Sequence, residues 1–171
     1  MYKGLLFAAA LSLLSLEATP QVLFMGVPLG GDAYSMVAPL ARKGLKFEGV
    51  VGNEALSFSG EFAGWDSDYI YVHFAPGVER SAHEALVGFE SGGEPAGWEP
   101  KSMTVFSDLR DMLLEKYPTD VSEDSSHLVV GVPGGSISLS VDSSRCVISY
   151  VDSVAYRSMR ALERSKNLED L

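Results

Sequence analysis

The chain has 171 residues, 46% hydrophobic and 21% charged, a composition that excludes wholesale disorder and supplies enough apolar side chains for a proper core. A net charge of −10 repels phosphate backbones and anionic headgroups, so it counts against nucleic-acid binding and against electrostatic docking on a membrane. One cysteine, Cys146, excludes an intramolecular disulfide framework, and its alternating setting reads as a buried structural thiol.

Residues 1–18 have the form of a secretory signal. Lys3 gives a positive start, residues 4–16 form an apolar run shorter than a membrane span, and Leu16-Glu17-Ala18 is a cleavage triplet before Thr19. No cysteine closes this segment, so a lipid anchor there is not expected. The expected mature chain, residues 19–171, is an exported (periplasmic or secreted) single α+β domain with no stable membrane insertion.

Residues 22–47 set the pattern of the mature chain. They read as a short strand, a Gly30-Gly31 turn, a helix capped by Asp32, a stop at Gly44 and a return to strand. Ala33, Met36, Val37, Leu40 and Ala41 form the helical stripe, and Pro39 predicts a kink or a short helix. The Gly-Gly pair reads as a turn, because no phosphate-loop lysine or dinucleotide fingerprint accompanies it. The period then becomes two, and residues 47–51, 55–62 and 69–74 are expected as antiparallel strands, with 64–68 as a turn. Residues 82–89 read as a further strand and 90–100 as a connecting loop. Ser102 is the expected cap of an amphipathic helix whose buried stripe is Val105, Phe106, Leu109, Met112, Leu113 and Tyr117, closed by Pro118. After a polar loop, residues 128–132, 136–141 and 146–150 repeat the meander. A last helix starts near Val154, with Met159 and Leu162 expected inside.

A helix followed by about three strands thus occurs twice, at roughly 32–76 and 102–151, which predicts a tandem α+β repeat forming a sheet covered by helices. The stretches Phe24-Met-Gly-Val-Pro-Leu-Gly-Gly, Leu40-Ala-Arg-Lys-Gly-Leu, Gly60-Glu-Phe-Ala-Gly and the closing Leu168-Glu-Asp-Leu resemble small exported proteins of gut anaerobes. These are turn and core positions, so the resemblance transfers no catalytic residue. More distantly, the repeated order resembles the β-lactamase-inhibitor-protein fold and related outer-membrane assembly lipoproteins, which implies protein binding. The chain departs from the lipoproteins in lacking the anchor cysteine.

Catalytic signatures are missing. There is no G-x-S-x-G elbow and no H-E-x-x-H, and His73, His83 and His127 are scattered. His73 reads as structural, with a cross-strand pairing to His83 left open. Asp66 and Asp68 lack the further ligands of a calcium loop. Glu79, Glu84, Glu90, Glu94 and Glu99 crowd one stretch, and they carry the alternative of a small hydrolase. Trp65 in a hairpin turn, Trp98 in a loop, and Tyr69 and Tyr71 on one strand face are the candidate binding residues, because aromatic side chains anchor interfaces. The expectation is an exported, non-catalytic binding domain at the cell envelope, without cofactor or metal, engaging a protein or glycan partner. An envelope assembly or scaffold role is the remaining alternative.

Overall fold

The computed structural model describes residues 21–75, 80–92 and 97–169. The expected leader, Glu79 and Glu94 lie outside the described residues. The chain opens on a small hairpin, β1 (Leu23–Phe24) and β2 (Val27–Pro28), rather than the single strand expected there. Met25 and Gly26 turn it, at φ of 50° and 78°, the mirror-image geometry that two-residue hairpins use.

Asp32 caps a 3₁₀ turn, Ala33–Met36, by accepting the Tyr34 N–H at 3.4 Å. That turn runs into α1 (Val37–Arg42). Pro39 falls in the first turn of α1, where backbone N–H groups have no intrahelical acceptor, so its missing donor does no harm. The outcome is a short helix. Ala33, Met36 and Leu40 are buried as expected, whereas Ala41 is exposed.

Four strands follow, β3 (Lys46–Val51), β4 (Ala55–Ser59), β7 (Tyr69–Phe74) and β8 (Ala82–Glu90), with a small hairpin of β5 (Glu61–Phe62) and β6 (Trp65–Asp66) between β4 and β7. The expected strand over 55–62 is cut at Gly60 (φ 143°), where a Cβ would sit 3.2 Å from the Gly44 carbonyl oxygen. After α2 (Lys101–Lys116) come β9 (Val121–Glu123), β10 (His127–Val132), β11 (Gly135–Val141), β12 (Arg145–Asp152) and α3 (Ser153–Glu169).

The eight long-range strands form one antiparallel sheet in the order β3-β4-β7-β8-β12-β11-β10-β9. Two four-strand meanders therefore meet at their last strands, β8 and β12, in a register running from Arg145 opposite Glu90 to Val151 opposite Glu84. The fold class is α+β. Each half supplies four strands rather than the expected three, because β8 belongs to the first and the polar β9 to the second.

Alternation sorts the two faces. Ile70, Val72, Phe74, Val87, Phe89, Cys146 and Ile148 point inward and are buried, together with Val105, Phe106, Leu109 and Leu113 of α2. Phe24 is fully buried, stacked 6.0 Å from Phe62 and edge-on to Tyr150 at 5.4 Å. Burying each such side chain stabilises the fold by about 1.5–3 kcal/mol. Pro100, not Ser102, caps α2. Ser102 is buried in the first turn, where its N–H donates to Ser91 Oγ (2.7 Å) and its hydroxyl to the Asp142 carbonyl (3.1 Å), tying the helix to two strand ends. Met112, expected inside, is exposed.

Among the described residues, burial in α3 is confined to its first turns. Ala155 is buried and Met159 half-buried, whereas Leu162, expected inside, is exposed. Its cap is the buried Asp152, which accepts the N–H groups of Val154 (3.1 Å) and Ala155 (2.9 Å). Asp152→Ala is expected to cost about 1–2 kcal/mol and to fray α3, read by thermal melting and far-UV circular dichroism. A variant with unchanged melting and helicity would show that the cap is dispensable. Among the described residues, no helix is long and apolar enough to cross a membrane.

Candidate functional site

The outward side of β7 and its neighbours carries the most organised surface. Tyr69, Tyr71 and His73 succeed one another at every second position, opposite Gly88, Leu86 and Glu84 of β8. The Tyr69 ring lies flat on Gly88: a Cβ there would be 1.9 Å from Tyr69 Cζ, so only glycine admits the ring. Tyr69 and Tyr71 stack at 5.4 Å with 21° between their planes, and Tyr71 meets His73 edge-on at 6.1 Å. On β11 and β12 the same face presents Ser136, Ser138, Ser140, Val147 and Ser149, by the register that pairs Ser140 with Val147 and Ser138 with Ser149.

Between the tyrosines and β11 runs a groove of about 520 Å³, lined by Tyr69, Tyr71, Leu86, Ser140, Arg145 and Val147. Burial pushes the Tyr69 phenol up, against a smaller opposing pull from Arg145, so at neutral pH it remains a hydrogen-bond donor. At the groove end, the Ser144 hydroxyl and N–H hold the Asp142 carboxyl below its usual range, with the Arg145 N–H adding to them. Glu84 accepts the Ser149 hydroxyl at 2.6 Å.

No protein-family model, curated protein or solved structure matches the chain.

Tyr69 and Tyr71 come together as the period of two requires. Trp65 does not join them: the turn falls on Ala63 and Gly64 (φ 53° and 87°), so Trp65 is a strand residue opposite Phe62, half-buried against the core. The expected turn position of Trp65 is corrected to a strand position. Trp98 is 74% exposed in its loop. Sequence reasoning missed the serines, although Ser136-Ile-Ser-Leu-Ser140 shows their alternation, and it missed Gly88, whose role needs its cross-strand partner.

Of the carboxylates among the described residues, the two on β8 do not converge. Glu84 and Glu90 stand six positions apart on β8, about 20 Å along an extended strand, beyond the spacing of a glycosidase pair. Asp68 accepts the Glu90 N–H (2.7 Å) and Lys101 Nζ (3.1 Å). Burial alone would raise its carboxyl, but these two partners hold it low. The Asp66 carbonyl takes the same lysine, so the Asp66/Asp68 turn clamps the start of α2. Desolvation pushes the Cys146 thiol up to about 12, which makes it an inert core group.

His73 and His83 are neighbours, with ring centroids 6.4 Å apart, and both line a cavity of about 560 Å³ under α3. His83 is buried, and its Nδ1 finds no hydrogen-bond partner among the described residues. Desolvation lowers its pKa, with Glu84 opposing, so the ring is neutral at pH 7. Among the described residues, no cluster of three or more histidine, cysteine, aspartate or glutamate side chains is arranged to hold a metal ion.

Proposed function

We propose that this chain is an exported, non-catalytic binding module that engages a protein partner through the outer sheet face, anchored by Tyr69 and Tyr71. The observation that carries the reading is the stacked tyrosine pair, with Tyr69 laid over Gly88, beside a groove that Ser140 lines on a serine-bearing face. Tyrosine offers large, rigid, amphipathic contact area at low entropic cost, and serine offers adaptable hydrogen bonds; antibody paratopes use the same combination. The two helix-led meanders that meet at β8 and β12 support a tandem repeat. They also suit the protein-binding role implied by the β-lactamase-inhibitor-protein resemblance. The leader-like residues 1–18 support export to the periplasm or medium.

Capture from an envelope extract tests the proposal, using the wild-type chain, a Tyr69→Ala/Tyr71→Ala variant and a Trp98→Ala variant, each with its melting temperature measured. The wild type is expected to retain a stoichiometric protein that the tyrosine variant loses. Trp98→Ala should lose less than about threefold, because anchors act where neighbouring side chains exclude water and Trp98 is 74% exposed. Equal capture by the wild type and the folded tyrosine variant would overturn the reading. So would elution of the captured material by free oligosaccharide, which would make the face a glycan site.

A further inference from the structure

A third concavity lies on the other side of the sheet from the tyrosine groove, between the β1–β2 hairpin, the Ala63 turn and the C-terminal half of α2. It encloses about 690 Å³, the size of a small-ligand site. Its bed is apolar, with Val22, Leu113, Ile137 and Ile148 along it. Two more of its lining side chains, Leu23 and Met112, are 55% and 49% exposed, large apolar groups that the fold leaves uncovered.

The charge of this cleft is opposite to that of the molecule. Its charged lining residues are Lys43 and Lys116, and among the described residues no aspartate or glutamate lines it, in a chain whose net charge is −10. Lys43 comes directly after the last residue of α1 and Lys116 is the last residue of α2, both places where a cation is favoured by the helix dipole. Lys116 also lies over the Tyr117 ring at 5.2 Å, which places its ammonium beside the cleft wall.

From these features we infer that the cleft binds a medium- or long-chain fatty anion, its carboxylate between Lys43 and Lys116 and its hydrocarbon along Val22, Leu113, Ile137 and Ile148. Each buried methylene contributes about 0.8 kcal/mol, so a chain of ten or so carbons supplies the affinity and the lysines set the sign of the head group. Among the described residues the cleft and the tyrosine groove have no lining side chain in common, so the two proposals stand or fall separately.

Titration calorimetry on the full 171-residue chain, with dodecanoate, dodecanol and dodecylamine as probes, tests the inference. Dodecanoate is expected to bind one to one, about tenfold or more tighter than either other probe. Lys43→Glu/Lys116→Glu should weaken it by at least about tenfold, while Lys43→Arg/Lys116→Arg keeps it. Both pairs are on the surface, and matching melts would show that the fold is intact. Three probes bound alike, none bound, or an unaffected glutamate variant would each overturn the inference. Binding to phosphatidylglycerol vesicles without binding to dodecanoate would overturn it too, by assigning the lysines to a membrane surface.

Discussion

Replacing Gly135 by alanine is expected to destabilise the protein by about 3 kcal/mol, the upper part of the range for overpacked sites. A Cβ at this position would lie 1.9 Å from the Val151 carbonyl oxygen and 2.6 Å from Val22 Cγ2. The first contact is with backbone, which no rotamer change can relieve, so β11 and β12 would have to separate. They would separate where Gly135 faces Asp152, the residue that caps α3, and where the Ser153 N–H donates to the Gly134 carbonyl at 2.9 Å. The first helical turn should therefore loosen with the strand pair. Gly31→Ala is the matched control: a Cβ there meets nothing within 4 Å and its φ is not left-handed, so it should be close to neutral. Urea unfolding of both variants decides the matter. A Gly135→Ala protein within about 1 kcal/mol of wild type would mean that the strands yield without loss, against the close packing assumed for protein interiors.

Much of the frame was legible because its signals are local. Tyr69-Ile-Tyr-Val-His-Phe74 alternates cleanly, and the structure places alternate residues in and out. The α2 stripe was readable from 3.6-residue spacing, apart from Met112, which lies at the margin of the buried arc. The failures have identifiable causes. Ser102 has the chemistry of a cap, but Pro100, at ψ 140°, already turns the chain into the helix, leaving the serine free to bridge strand ends. β9 is three mostly exposed residues whose strand character comes from pairing with Leu128, Val129 and Val130, so no pattern within it announces a strand. Leu162 continues the α3 stripe, yet it lies beyond the first turns, to which burial among the described residues of α3 is confined. The candidate sites were less legible than the strands for a related reason. The tyrosine row is local, but the groove needs β11 and β12 beside it. The lysine-rimmed cleft gathers residues from both halves of the chain.

Gly88→Ala should separate binding from stability more sharply than any change to a tyrosine. Its added methyl would meet Tyr69 Cζ at 1.9 Å and the phenol oxygen at 2.3 Å, both at the tip of a flexible side chain on the open face. Unlike the Gly135 case, the obstacle can swing away into solvent. Relief comes at the loss of the Tyr69–Tyr71 stack and of the ring's cover over the strand, worth about 1 kcal/mol between them. Removing a strand glycine returns part of that, since glycine is the residue that loses most freedom on folding. The net change in melting should thus be small. Binding should fall by about tenfold or more, because Tyr69 would no longer stand where the groove wall requires it, and a displaced anchor serves little better than a deleted one. Two measurements check this together: the Tyr69 ring resonances, which should lose the ring-current shift from Tyr71, and affinity for the partner captured by the wild type. Loss of the ring-current shift with affinity unchanged would remove the tyrosine pair from the interface. An unchanged shift would mean that the strand moves in place of the ring, and that the platform beneath the tyrosines is softer than a central strand should be.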